Sequence, residues 1–365
     1  MQPPLIVDAH EDLAYNMLTF GRDYTRSAAE TRLIEVASNS NAIEHTGMAL
    51  LGWPDYQRGR VAVVFSTLFA TPIRRKTGDW DTQAYADPGQ AHKVYRQQLD
   101  AYHELGDRSP DHFRFISAQP DLESVLLDWA DPARKTHPVG LVALMEGAEG
   151  VRSPSELEEW WEAGLRMIGP AWAGTRFCGG TRDPGPLTKD GYALLAAMAD
   201  IGFTLDLSHM DVLSARQALD FYQGPIIASH ANAAVLLPGY TGNRLPPDDV
   251  LKGLVERDGI IGVIPFCLFL DANWKKGDPR DGITLSTVAA HIDHICQMAG
   301  DALHVGLGSD FDGGFGLEGV PTGIDTIADL QDLAPILEAK GYNSADVSAI
   351  LGGNWLRHLR TCLPA

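Results

Sequence analysis

The sequence predicts an α/β protein built as a (β/α)8 TIM barrel, with eight parallel strands that alternate with helices. Two apolar runs, 204–209 and 225–230, are too short for helices and rich enough in Ile and Leu to be buried strands. Each run ends on a histidine, and the 21 positions from His209 to His230 are enough for a loop, a helix and the next strand. A length of 365 residues is also common for a barrel with long loops.

Strand patterns and helix patterns alternate along the whole chain. The strand candidates are 5–10, 60–68, 139–145, 165–169, 204–209, 225–230, 260–264 and 304–308. Helices are predicted at 87–105, 121–129, 153–163, 189–202, 212–223, from 247 onward, and at 285–299, 327–340 and 344–360. The segment 13–59 is mixed and predicts a long loop with one or two helices. Since no linker or change in composition marks a boundary, we expect one barrel domain over residues 1–365.

Composition excludes several classes of partner. The net charge of −19 argues against nucleic acid and anionic membranes, which need a basic surface. The N-terminal residues lack the basic and apolar regions of a secretion signal, so we expect a soluble, cytoplasmic protein. The cysteines are scattered without a CxxC pair, which favours free thiols: Cys178, Cys267, Cys296 and Cys362.

Six acidic or histidine side chains fall at the predicted strand ends. They are His10 and Asp12 (strand one), Glu146 (three), His209 (five), His230 (six) and Asp310 (eight). The carboxyl ends of barrel strands meet at one mouth, so these side chains should converge. Imidazole and carboxylate ligands suit zinc above all, with manganese or cobalt as alternatives. Glu146 is well placed to bridge two ions about 3.5–4 Å apart.

Three further histidines fit structural roles better. His291 and His294 are three positions apart on a helix pattern without a carboxylate partner, which predicts a solvated helix face. His304 begins a predicted strand and therefore lies at the end of the barrel that serves stability.

A series of short motifs resembles the membrane (renal) dipeptidase family. The motifs are VDAHEDL (7–13), MEG (145–147), LSH (207–209), ASHA (228–231), PDD (247–249), GSDFDG (308–313) and GGNWLR (352–357). They occur in the order of the family and cover the chain from residue 5 to 360.

The resemblance implies a binuclear zinc dipeptidase that acts on small dipeptides, in a family that is often dimeric. One zinc ion would be held by His10, Asp12 and Glu146, and the other by Glu146, His209 and His230. Arg244 matches the arginine that clamps the terminal carboxylate of the substrate, as a guanidinium can do through two hydrogen bonds. Asp310 matches the aspartate that meets the amino group of the substrate and moves the proton.

One position departs from the family. Trp172 stands after strand four, where the family usually has a histidine that touches the scissile carbonyl. An indole N–H can donate one hydrogen bond but cannot carry charge. Trp172 is therefore expected in the substrate site with an altered role.

Two alternative functions remain open at this point. Another amidohydrolase-type activity, such as that of an N-acyl amino acid amidase, a lactonase or a phosphoesterase, could use the same binuclear site. Arg244 separates these reactions, because only a substrate with a free carboxylate requires it. A metal-containing barrel that binds without catalysis is the second alternative, and Trp172 is the feature that favours it.

Overall fold

The computed structural model describes residues 2–365 and has the predicted barrel. Eight strands pair in parallel in chain order, except that the sixth and seventh share no ladder, and the last pairs with the first. They are β1 (Ile6–Glu11), β2 (Val61–Phe69), β3 (Val139–Glu146), β4 (Leu165–Gly169), β5 (Thr204–Asp206), β6 (Ile226–Ile227), β7 (Ile261–Val263) and β8 (Val305–Leu307). A parallel bridge between Ala228 and Ile261 joins β6 to β7 and closes the ring.

Fourteen helices surround or extend this ring. They are α1 (Leu13–Phe20), α2 (Ala28–Ser38), α3 (Ala42–Thr46), α4 (Trp53–Gly59), α5 (Pro88–Arg108), α6 (Gln119–Ala130), α7 (Leu157–Glu162), α8 (Lys189–Ile201), α9 (Val212–Phe221), α10 (Asp248–Glu256), α11 (Leu285–Ala299), α12 (Leu333–Ala339), α13 (Ser344–Ser348) and α14 (Asn354–Cys362). Every residue of β1, β3 and β4 is buried. Strands covered on both faces explain the continuous apolar runs in the sequence.

Three short strands were not predicted. Phe113–Phe115 pairs with the first residues of β3, on the edge that β4 takes over from Ala143 onward. Thr71–Pro72 pairs with Ala84–Tyr85 in the connection from β2 to α5. Segments of two or three residues are too short to leave a periodic pattern.

The segment 13–59 contains more helix than predicted. Four helices, α1 to α4, replace the expected long loop with one or two helices. Helices as short as α3 and α4 are not stable alone and depend on tertiary contacts. Asp55 in α4, for example, accepts the backbone N–H of Ala28 at 2.7 Å and so joins α4 to the start of α2.

Strands β5 and β6 end earlier than predicted. His209 and His230 each lie three residues beyond the last strand residue, in irregular backbone. Asp206 accounts for this, because its Oδ1 accepts the N–H groups of Ser208 at 3.0 Å and of Ser229 at 2.8 Å. A side chain therefore takes the place of the strand ladder at this point.

The prediction of a solvated face for His291 was wrong. His291 is 1% exposed, whereas His294 is partly exposed and lies 3.0 Å from Asp248. His291 is three residues after Val288 and four residues before Ile295, which places it in the apolar stripe of α11. The four cysteines are free, as predicted. Within residues 2–365, no helix is long and apolar enough to cross a bilayer.

Candidate metal centre and substrate pocket

The six side chains predicted to form the site lie together at the carboxyl end of the barrel. His10 belongs to β1, and Asp12 is the residue before α1. Glu146 is the last residue of β3, while Asp310 lies three residues beyond β8. None of these side chains is more than 14% exposed. The barrel topology therefore collects residues from the whole chain at one buried point.

Glu146 lies between two sets of imidazoles. Its Oε1 is 3.0 Å from His209 Nε2 and 3.5 Å from His230 Nε2, and these two nitrogens are 3.0 Å apart. Its Oε2 lies 3.9 Å from His10 Nε2. The two oxygens of one carboxylate thus face different histidines, as a bridging ligand requires.

Two other carboxylates surround His10. The Nε2 atom of His10 is 4.0 Å from Asp12 Oδ2 and 3.8 Å from Asp310 Oδ1. The ring of His10 also packs on that of His230, with 3.7 Å between the ring centroids. Two ligand groups emerge, His10 with Glu146 and His230, and His10 with Asp12 and Asp310.

Burial favours the neutral forms of these groups. It lowers the pKa of His10 to about 3, with the charge of Arg244 as a second cause, and lowers the pKa values of His209 and His230 well below 6.5. Burial also raises the pKa of Asp12 to about 7, and the charge of Asp312 adds to this. Neutral imidazoles are the form that binds metal, and crowded carboxylates of this kind are stabilised by a cation.

The unpaired atoms are suited to bind a metal cation. His10 Nε2, Asp12 Oδ1 and Glu146 Oε1 are buried and have no hydrogen-bond partner. Such groups are costly to bury unless something binds them. In a tetrahedral zinc site, bond lengths of 2.0–2.1 Å put neighbouring ligand atoms about 3.3 Å apart. The spacing of 3.0 to 3.5 Å among Glu146, His209 and His230 agrees with this geometry.

Arg244 lies beside the centre with free donors. It is 5% exposed, and its Nη2 donates to the carbonyl oxygen of His230 at 2.8 Å. Its backbone N–H donates to the hydroxyl of Tyr240 at 2.8 Å, and its guanidinium lies 5.4 Å from the ring centroid of Phe269. Because Nε and Nη1 are buried without partners, Arg244 can bind a further anionic group.

Trp172 lies close to His209. Its ring centroid is 6.3 Å from that of His209 and 5.0 Å from that of Phe69, which it meets edge-on. Phe69 ends β2 and is in register with Glu146. An aromatic surface therefore borders the candidate metal centre beside His209.

Several residues behind the histidines were missed by the sequence analysis. Thr181 Oγ1 lies 2.9 Å from His209 Nδ1, and Ser229 Oγ lies 2.8 Å from His230 Nδ1. Asp206 binds Ser229, and Asp8 accepts the backbone N–H of Ser309 at 2.6 Å. The sequence contains a weak indication of these contacts, because a serine precedes both His209 and His230.

Three residues in or next to the site have left-handed backbone conformations. His209 has φ +66°, and Asp310 and Asp312 have φ +57° and +62°. Left-handed conformations of residues other than glycine are uncommon and need tertiary support. Asp312 provides such support, since its carboxylate accepts the N–H of Leu50 at 2.9 Å and pairs with Arg22 at 3.1 Å.

Known proteins resemble this chain over its whole length. A family model described as "Membrane dipeptidase (Peptidase family M19)" matches residues 1–362. Dipeptidase aclJ of Aspergillus oryzae is 26% identical over 367 residues, which cover 97% of this chain and 77% of that protein. An uncharacterized protein from the pqqA 5′ region of Klebsiella pneumoniae is 31% identical over 284 residues, covering 75% of this chain and 97% of its own.

Solved structures share the fold. The dipeptidase AC, a metallopeptidase of family M19, has a TM-score of 0.77 at 24% identity and covers 100% of both chains. A metallopeptidase from Rhodobacter sphaeroides, solved with a phosphinate mimic of the dipeptide L-Ala-D-Ala, also has a TM-score of 0.77, at 22% identity and with 99% of this chain and 100% of that chain covered. The chain belongs to the membrane dipeptidase family, peptidase family M19, and is a hydrolase of the metallopeptidase class.

Proposed function

We propose that this protein hydrolyses small dipeptides at a centre for two zinc ions. His10, Asp12 and Glu146 would hold one ion, and Glu146, His209 and His230 the other. The observation that carries the proposal is the orientation of the Glu146 carboxylate, whose two oxygens face different histidines. The chemistry that two such ions supply is Lewis acidity toward the peptide carbonyl and toward water.

Arg244 would bind the terminal carboxylate of the dipeptide. Its unpaired Nε and Nη1 supply donors, and its burial excludes competing water. A guanidinium in such a place prefers a planar carboxylate. This role favours dipeptides, and also N-acyl amino acids, over lactones and phosphoesters, which lack that group.

Asp310 would serve as the proton carrier. Burial raises the pKa of its carboxyl group well above the ordinary value, with the charge of Asp12 as the next cause. A carboxylate with a raised pKa can accept a proton from water at Oδ1 and deliver it to the leaving amine. The same position suits contact with the ammonium group of the substrate.

Trp172 would form one wall of the substrate pocket together with Phe69. Its indole offers apolar surface and one N–H donor, so it can orient the substrate without adding charge. Stabilisation of the developing oxyanion would then depend on the metal centre rather than on this position.

Substitution of Glu146 by Gln tests the centre. A bridging carboxylate serves both ions, so Glu146→Gln should lower zinc content and dipeptide hydrolysis together. Metal analysis of zinc-loaded protein and assays over a library of L,L and L,D dipeptides measure both. Glu149→Gln is a matched control, because Glu149 pairs with Arg176 at 3.1 Å outside the site. A zinc content close to one ion or zero ions per chain in the fully loaded wild type would refute the binuclear centre.

A homodimer and a cytoplasmic location stay predictions. Sedimentation at several protein concentrations would test the first, and fractionation of source cells would test the second.

A further inference from the structure

A buried chain of hydrogen bonds lies behind His230. Ser229 Oγ is 2.8 Å from His230 Nδ1 and 2.5 Å from Asp206 Oδ2. Asp206 is 2% exposed, and the other two residues are fully buried. A hydroxyl group has only one proton to donate, so the directions of these two hydrogen bonds depend on each other.

Asp206 determines both directions. Its Oδ1 accepts the backbone N–H groups of Ser208 and Ser229, which leaves Oδ2 turned toward Ser229 Oγ. A carboxylate can only accept, so Ser229 donates its proton to Oδ2. Ser229 then offers only lone pairs to His230, and the proton of this imidazole must be on Nδ1. The lone pair of Nε2 consequently faces Glu146, 3.5 Å away.

We propose that Asp206 is a positioning residue that acts through Ser229 to keep His230 in the Nδ1-protonated tautomer, and so sets the affinity of the centre for its metal. This inference rests on the proposed function of the site as a metal centre. Groups that orient a ligating histidine in this way typically change metal affinity by 10- to 100-fold when they are removed.

The hydroxyl contacts behind the other two histidines differ from that behind His230. The Nδ1 atom of His209 lies 2.9 Å from Thr181 Oγ1, and within residues 2–365 that hydroxyl is bonded to no carboxylate. The hydroxyl of Thr181 can therefore either donate or accept. Ser229 Oγ is also 3.5 Å from His10 Nδ1, at the limit of a hydrogen bond. Asp206 consequently acts on one defined ligand, His230.

Replacement of Asp206 by Asn keeps the shape of this side chain. It should reverse the donor and acceptor roles in the two hydrogen bonds of Ser229 Oγ. The two backbone N–H groups require the carbonyl oxygen of the amide at the Oδ1 position, so its NH2 group faces Ser229 Oγ. Ser229 must then accept from the amide and can donate to His230 Nδ1. This moves the imidazole proton to Nε2, which blocks the atom that binds metal.

Ser208 could reduce the effect of Asp206→Asn by acting as an alternative acceptor for Ser229. Its Oγ is 3.2 Å from Ser229 Oγ and could accept the proton of Ser229 instead. The test therefore includes Asp206→Asn both alone and together with Ser208→Ala. This alternative acceptor is absent in the double variant, so the effect of Asp206→Asn should be larger there. It is measured against Ser208→Ala alone, because Ser208 Oγ also accepts the backbone N–H of His230 at 3.1 Å.

The experiment measures zinc affinity and the tautomer, neither of which depends on activity. Competition of the protein with a chelator for zinc gives the affinity. Long-range ¹H–¹⁵N NMR of metal-free protein labelled at histidine gives the tautomer, with His230 assigned by His230→Gln. We expect the Nδ1–H tautomer in the wild type. Asp206→Asn should shift it to Nε2–H and weaken zinc binding by 10- to 100-fold, more than Ser229→Ala does.

Two controls separate the possible failures. Thr204→Val removes a buried hydroxyl 3.2 Å from His358 Nε2, at the opposite end of β5, and should leave zinc affinity unchanged. If Glu146→Gln binds zinc as the wild type does, the proposed metal centre is wrong. If Glu146→Gln loses zinc, and neither Asp206→Asn nor its combination with Ser208→Ala does, only the role of Asp206 is overturned. Should Asp206→Asn fail to fold, an Nε2–H tautomer of His230 in the wild type would overturn it equally well.

Discussion

Replacement of Arg244 by Ala should separate dipeptides with a free carboxylate from those without one. The guanidinium is 5% exposed and has two nitrogen atoms without partners, Nε and Nη1. A hydrogen bond to a charged group contributes about 1.5–3 kcal/mol. Loss of two such bonds removes at least about 3 kcal/mol, which corresponds to a fall of about 10²-fold in kcat/KM for a free dipeptide.

The assay compares each dipeptide with its C-terminal amide. Hydrolysis of the amide should fall only a few-fold in Arg244→Ala, since the amide never engages the charge of the guanidinium. Arg244→Lys should give an intermediate loss on the free dipeptide, because it keeps the charge and loses the planar fork. Zinc content must be measured in parallel, as Arg244 also donates to the carbonyl oxygen of His230. Equal losses on the two substrates, with zinc retained, would refute the assignment.

Three other predictions concern single side chains. Asp310→Asn should keep both metal ions and lower kcat by about 10² or more, with a raised KM; loss of metal would instead make Asp310 a ligand, which its distance of 3.8 Å from His10 Nε2 permits. Trp172→Ala should raise KM about 10-fold for dipeptides with large apolar side chains and less for glycylglycine, because it removes the aromatic surface beside Phe69; the same increase for both substrates would contradict a role in side-chain recognition. His291→Leu should make stability less sensitive to acid. Burial lowers the pKa of His291 from 6.5 to about 4, so the unfolded chain takes up a proton first as the pH falls. This costs about 2 kcal/mol between pH 7.5 and pH 5, and urea unfolding at the two pH values should show that the substitution abolishes this part of the loss.

The aromatic surface formed by Trp172 and Phe69 can be tested with substrates of different size. Trp172 and Phe69 meet edge-on, with 5.0 Å between their ring centroids. Edge-on contact is one of the preferred geometries of aromatic pairs. A dipeptide library that varies one side chain at a time would test whether Trp172 contacts the substrate and, if so, at which position.

The sequence by itself determined the fold class and which side chains converge at the carboxyl end of the barrel. Buried parallel strands leave continuous apolar runs, and five of the eight predicted runs end on, or are followed by, an acidic or histidine side chain that stands out against them. The barrel then has only one mouth in which those residues can meet. His10, Glu146, His209 and His230 could therefore be placed together before any distance was known.

Tertiary structure decided the elements that depend on contacts far apart in the chain. The helices of segment 13–59 are too short to be stable without such contacts, so their local signals were weak. Asp206 and Ser229 are 23 residues apart, and their bond forms only because β5 and β6 are neighbours. Likewise, the burial of His291 depends on what packs against α11. Which oxygen of Glu146 faces which histidine is a matter of three-dimensional geometry, and no pattern along the chain encodes it.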